Sequence, residues 1–183
     1  LYCIWGTVMI ALNTTIMGDA RAGAEAVGID PTTATVLVGL MSLISGISRV
    51  IVGAIYDRSS LRTVMLLSTG VGLLAASGLA IAFVLKAAEL YLVAAVVLGF
   101  TFGSVPVIAS AFVRQAYPAR DFPRNLALAN LNIASGAVVS ALIINIGRAW
   151  GGDGAIYATL AVLVLIALLD IFVFTRRLSP QAS

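Results

Sequence analysis

Residues 46–62 read Gly46-Ile-Ser-Arg49-Val-Ile-Val-Gly53-Ala-Ile-Tyr56-Asp57-Arg58-Ser-Ser-Leu-Arg62. They close an apolar run that begins at Thr32 and stops at Tyr56, where acid and base cluster abruptly. A run of that length crosses a hydrocarbon core of ~30 Å as a helix. Working outward, the apolar runs are 1–17, 32–56, 64–85, 90–113, 126–147 and 155–175, broken by polar stretches at 18–31, 57–62, 86–89, 114–125 and 148–154. Backbone polar groups in lipid must be paired within the segment, so each run is expected to be helical. The alternating ten-residue strands of a membrane barrel are not seen. The expected fold is all-α: a polytopic membrane bundle of six transmembrane helices over 1–175, with a cytoplasmic tail at 176–183.

Composition agrees. The chain has 183 residues, 61% hydrophobic and 10% charged, with a mean hydropathy of +1.07. Eleven Lys/Arg and eight Asp/Glu cannot cover a soluble domain of this size. The natural solvent of such a surface is the lipid bilayer. Net charge is +3, and the basic residues are too scattered for a nucleic-acid patch.

With no histidine and one cysteine, Cys3, the chain offers no internal disulfide, no His–Cys metal site, no haem ligand and no Ser–His protease. The single lysine, Lys86, lies in a short loop, which argues against a buried Ser–Lys dyad. No Walker-type glycine loop is present. We therefore expect no cofactor, no metal and no enzymatic chemistry. Leu1 lies inside an apolar run without an initiator Met or basic leader, so the chain reads as cut in or before a helix, with an upstream part missing.

Loop charge sets the orientation. The breaks at 57–62 and 114–125 and the tail carry seven Lys/Arg, against three (Arg21, Lys86, Arg148) in the other loops. Basic loops stay in the cytoplasm during insertion, so both chain ends are expected there. Trp5, Tyr56, Tyr91, Trp150 and Tyr157 lie near run ends, where interfacial rings are expected. The reading places the protein in a bacterial inner (plasma) membrane.

Two features carry candidate function. Asp57 ends its helix at the inner boundary, where it can accept hydrogen bonds from a neighbouring helix or an arginine, a contact that one conformation makes and another breaks. A basic loop that only fixes topology is the alternative. Arg49 lies eight residues earlier, about 12 Å deeper at ~1.5 Å per residue. An arginine at the bilayer centre costs roughly 2.5–3.5 kcal/mol even on the lenient scale, so it is expected to face a cavity. Snorkelling toward inner-leaflet phosphates is the competing reading. Ser42 and Ser45 fall within about 40° of Arg49 on a helical wheel. Gly39, Gly46 and Gly53, spaced by seven, are expected to form a close-packing seam beside this polar stripe. Asp170 reads as the only acid well inside the spans, either a proton site or a partner of Arg176 and Arg177. Pro106 predicts a kink.

The stretch from Gly53 resembles the G-x-x-x-D-R-x-G-R-R signature of the major facilitator superfamily, through Gly53, Asp57, Arg58 and Arg62. Ser60 stands in place of the second glycine and Leu61 in place of the first paired basic residue. The resemblance implies helices seven to twelve of a transporter whose missing N-terminal six-helix half completes the substrate site, with these four residues as an inner-gate motif. Gly-x-x-Arg-x-x-x-Gly-x-x-x-Asp is further similar to the oxalate/formate antiporter branch and to monocarboxylate transporters. Gly99-Phe-Thr-Phe-Gly103-Ser-Val-Pro106, Tyr117-Pro-Ala-Arg-Asp-Phe-Pro-Arg-Asn125 and Asn130-Leu-Asn132-Ile-Ala-Ser135-Gly136 resemble that branch's tenth helix, loop and eleventh helix. There the matching arginine pairs with a substrate carboxylate, which implies that role for Arg49; Ser42 and Ser45 on its polar stripe, with Asn132 and Ser135 of the fifth run, are the further substrate-binding candidates.

Ser135 stands where the oxalate carrier has a lysine, so this half offers one cavity cation and, unless the missing half supplies another, implies a small organic monoanion or a zwitterion. Exchange and symport both stay open. Asn130 and Asn145 are further hydrogen-bonding candidates, or simple helix joiners. The rival readings are a self-contained six-helix homodimer and a non-transporting membrane scaffold.

Overall fold

The computed structural model describes residues 2–150 and 152–177, without the side chains of residues 148, 150, 152–154, 170 and 172–177. The side chains of Arg148, Trp150, Asp170, Arg176 and Arg177, and the tail past Arg177, thus lie outside the described residues. Every regular element among the described residues is helical: α1 Tyr2–Ala26, α2 Pro31–Arg58, α3 Leu61–Leu85, α4 Ala88–Ala116, a 3-10 turn Ala119–Asp121, α5 Phe122–Ala129, α6 Leu131–Trp150 and α7 Gly152–Arg177.

Local chemistry explains the boundaries. Asp30 caps α2, its carboxylate accepting from the Thr33 N–H at 3.0 Å, and Pro31 occupies the first turn. Ser60, in place of a glycine, caps α3 by accepting from the Thr63 N–H at 3.2 Å. The α2–α3 turn needs no left-handed residue at that position. Gly28 (φ +92°) ends α1 in a Schellman motif, with Ile29 N–H donating to the Ala24 carbonyl and Gly28 N–H to that of Glu25, each at 3.0 Å.

That motif moves the end of the first helix from residue 17 to residue 26. Asp19 therefore lies inside α1, buried, so Asp170 is not the only acid within the helices. α4 runs unbroken through Pro106. The fifth run starts earlier than expected and divides at Asn130 into α5 and α6.

By length and composition, α2, α3, α4 and the stretch Ala119–Gly147 can cross a membrane, while Ala155–Leu169 is a shorter apolar helix. α1 has 25 residues, but Asn13, Thr14, Thr15 and Asp19 dilute its apolar character.

The helices pack in two layers. Contacts of α2 with α4, α4 with α1 and α1 with α6 set the order α2–α4–α1–α6 in the front layer. α3 and α7 pack together behind, α3 mainly against α4 and α7 against α6 and α1. Helices α2 and α6, at the ends of the front layer, are the least buried.

Close approach is made by α4. A Cβ on Gly99 would stand 2.6 Å from the Met41 carbonyl oxygen, and one on Gly103 would collide with the Ser45 carbonyl. Gly39, Gly46 and Gly53 of α2 have nothing within 4 Å of a Cβ position. The expected seam on α2 therefore packs against none of the described residues. The small residues that let α2 approach sit on its neighbour.

Three expected interfacial rings are core residues. Trp5, Tyr91 and Tyr157 are fully buried. Trp5 Nε1 donates to Thr69 Oγ1 at 2.8 Å, and the Tyr91 hydroxyl donates to the Ala20 carbonyl at 3.2 Å and lies 3.3 Å from that of Tyr157. With their polar tips paired inside the bundle, these rings need no water interface.

Candidate functional site

Arg49 is exposed at the edge of the buried stripe of α2, one turn from Ser45. Its guanidinium has no ion-pair partner among the described residues, where the salt bridges are Arg21–Glu25 and Arg120–Asp121. Ser42 is also exposed and donates to the Val38 carbonyl at 3.0 Å. Ser45 turns the other way: it is buried, its backbone against Gly103 and its carbonyl accepting from Ser48 Oγ at 2.9 Å. Arg49 and Ser42 thus share the open side of α2, and Ser45 belongs to the α2–α4 contact.

The remaining candidates lie on the α1–α6 seam. Ser135 Oγ is 2.8 Å from Thr7 Oγ1, an exposed hydroxyl pair. Asn132 is buried, its amide filling the space beside Gly6. Asn132 and the Tyr2 hydroxyl lie close enough to interact, but Asn132 Nδ2 and the Tyr2 hydroxyl make no well-formed hydrogen bond among the described residues. Asn145 Nδ2 donates to the Ala141 carbonyl at 2.7 Å, and Asn130 is exposed.

Depths follow from the packing pairs. Tyr2 stacks on Phe112 at 4.2 Å, and Thr101 Oγ1 donates to Asn13 Oδ1 at 2.7 Å, so steps along α1 match equal steps back along α4. Thr7 is then about level with Val107. Met41 meets Gly99 and Ser45 meets Gly103, so Arg49 is about level with Val107 too. Arg49 and the Thr7–Ser135 pair therefore share a depth, but α1, which touches both helices, stands between α2 and α6. The chain sets Arg49 and Ser135 at one level without bringing them into contact.

At the C-terminal end of α2, Gly53, Tyr56 and Asp57 face Val107, Ser110, Ala111 and Arg114 of α4 across an open wedge of about 280 Å³. Asp57, Arg58 and Arg62 are exposed and have no ion-pair partner among the described residues. Sequence reasoning missed Arg114 as the cation sharing a wall with Asp57, because the α2–α4 pairing is not local. It also missed the Asn13–Thr101 bridge between the two central helices, though a polar triplet at 13–15 in an apolar run was the available signal.

Among the described residues no group of three or more His, Cys, Asp or Glu is placed to hold a metal ion. What the arrangement offers chemically is an exposed cation, Arg49, without an ion-pair partner among the described residues, on the open face of α2, with Asp57, Arg58 and Arg62 near the end of that helix.

No curated protein matches the chain. A sequence model of the Major Facilitator Superfamily matches residues 1–183. With that match over the whole chain, on a bundle of long apolar helices, this integral membrane protein belongs to the Major Facilitator Superfamily, a family of transporters and not of enzymes.

Proposed function

We propose that this chain is the six-helix C-terminal half of a major facilitator carrier and moves a small organic anion, monocarboxylate-like, by alternating access. The observation that carries the reading is Arg49, a guanidinium without an ion-pair partner among the described residues, set among the exposed apolar residues Ile47, Val50 and Ile51. A charge in that position needs an anion or water-filled surroundings to offset its desolvation. The open polar side of α2, with Ser42 beside Arg49, fits a surface shared with an N-terminal half, the substrate lying between the two halves. At the inner rim Gly53, Asp57, Arg58 and Arg62 form the gate motif. Asp57, without a partner in this conformation, is free to pair when the halves rock.

Ser42 lines the site beside Arg49, while Ser45, Asn132 and Ser135 support it through helix contacts. A dicarboxylate entering a low-dielectric cavity needs about two cations, because an unpaired buried charge costs several kcal/mol. With one cation here, and unless the N-terminal half supplies another, the substrate is a monoanion or a zwitterion.

The test is uptake of propionate and malonate by the full-length carrier, in wild type and Arg49→Lys. Lysine keeps the charge but loses the planar fork, so propionate affinity should fall about tenfold. Preference for malonate, or indifference to the Arg49 change, would place the site elsewhere.

A further inference from the structure

The inner end of α4 carries a feature that the substrate reading leaves unused. Val93, Phe100, Val107 and Arg114 recur every seven residues and so share one stripe of the helix. Val93 and Arg114 are exposed, and Phe100 and Val107 half-buried, so no other helix of the chain fully covers the stripe. It ends at a cavity of about 390 Å³ lined by Arg114, Tyr117, Ala119 and Phe122. That volume lies in the ~300–1,000 Å³ range of small-molecule sites.

The Arg114 guanidinium lies 5.8 Å from the centre of the Phe122 ring, a cation–π geometry that orients it into this cavity. It makes no ion pair among the described residues, although Asp57 lines the adjoining wedge. Nearby, Arg120 is paired with Asp121 at 3.4 Å, and Arg124 is exposed and adds positive charge.

We infer that this cavity binds the phosphate of an anionic phospholipid, with an acyl chain lying along Val107, Phe100 and Val93. Arg114 sits just past the apolar run of α4, the level at which headgroup phosphates lie. Tyr117 and Phe122 are rings suited to that interface. Anionic lipid is concentrated in the cytoplasmic leaflet, the side that the basic loops assign to this end. A free phosphate would use the cavity alone, whereas the apolar stripe leading into it matches a headgroup joined to a chain. The inference rests on membrane placement and is independent of the transported substrate.

The test is native mass spectrometry of the detergent-purified full-length carrier with added dioleoylphosphatidylglycerol or dioleoylphosphatidylcholine. Wild type should retain the anionic lipid preferentially, and Arg114→Gln should weaken that retention about fivefold. Arg21→Gln, at the opposite end, should change nothing. Equal retention by wild type and Arg114→Gln overturns the inference, as does displacement of the lipid by millimolar inorganic phosphate. Should Arg114→Gln yield no folded protein, Phe122→Leu replaces it. Lost preference in that variant supports the site, and unchanged preference overturns it.

Discussion

Gly103 of α4 touches the backbone of Ser45 of α2, with no room for a side chain between them. This contact, with Gly99 against Met41 one turn away, sets how α2 leans on the bundle and hence where Arg49 stands. Gly103→Ala should force the helices apart and cost about 1–3 kcal/mol. Gly18→Ala, at an exposed position with open space around it, should be neutral or better. Thermal unfolding of the two purified variants compares them directly, and equal midpoints would refute the contact.

The Asn13–Thr101 bond joins the two central helices of the front layer. Thr101→Val keeps the shape and removes the hydroxyl, leaving Asn13 Oδ1 without that donor. Interhelical hydrogen bonds in membranes average about 0.6 kcal/mol and reach about 1.7 kcal/mol. A destabilisation in that range is expected, and Asn13→Leu combined with Thr101→Val should cost less than the sum of the single changes.

Tyr2 makes the opposite prediction. Its buried hydroxyl faces Asn132 but makes no well-formed hydrogen bond among the described residues, whereas its ring stacks on Phe112. Tyr2→Phe keeps the stack and removes the unpaired group, whose burial costs about 1–3 kcal/mol. The unfolding midpoint should hold or rise. A clear fall would mean that the hydroxyl is satisfied in the membrane.

The cap of α2 is pH-sensitive in a defined direction. Hydrogen bonds from Thr33 hold the fully exposed Asp30 carboxylate below its ordinary range. Its contribution is complete above the ordinary aspartate value of about 3.9 and fades as pH falls through the lowered one. Hydrogen exchange at the Thr33 amide should therefore lose protection only below about pH 4. Asp30→Ala should lack that protection at every pH.

Orientation is open to chemistry. In a Cys3→Ser background, cysteine at Lys86 should react with an impermeant thiol reagent on whole cells, and cysteine at Ser59 should not. Both positions are exposed turns between helices, so reactivity reports sidedness and not burial. Labelling at Ser59 would reverse the topology.

The helical character of this chain was legible without coordinates, as were the ends of α2. The apolar run from Thr32 to Tyr56, Pro31 after Asp30 and the charges at Asp57 and Arg58 are local signals. A backbone in lipid has only local partners with which to satisfy its hydrogen bonds. The end of α1 was equally local, since Gly28 marks it, but the polar residues after Met17 obscured the signal.

What a helix packs against is another matter, because it depends on residues far away in the chain. Gly39, Gly46 and Gly53 have the spacing of a packing seam, yet the close approach belongs to Gly99 and Gly103. A glycine permits contact only where a second backbone arrives. Ser45 and Arg49 are one turn apart and nearly superposed on a helical wheel, and the position of α4 alone divides them into a buried and an exposed residue. Trp5, Tyr91 and Tyr157 were assigned to the interface by their nearness to run ends. Hydrogen bonds and contacts from α3, α4 and α1 hold them in the core instead. The sequence by itself determined an apolar helical chain with an arginine, Arg49, well inside one of its apolar runs. The tertiary structure decided which side of each helix is covered, because burial in a bundle is a property of pairs of helices and not of one.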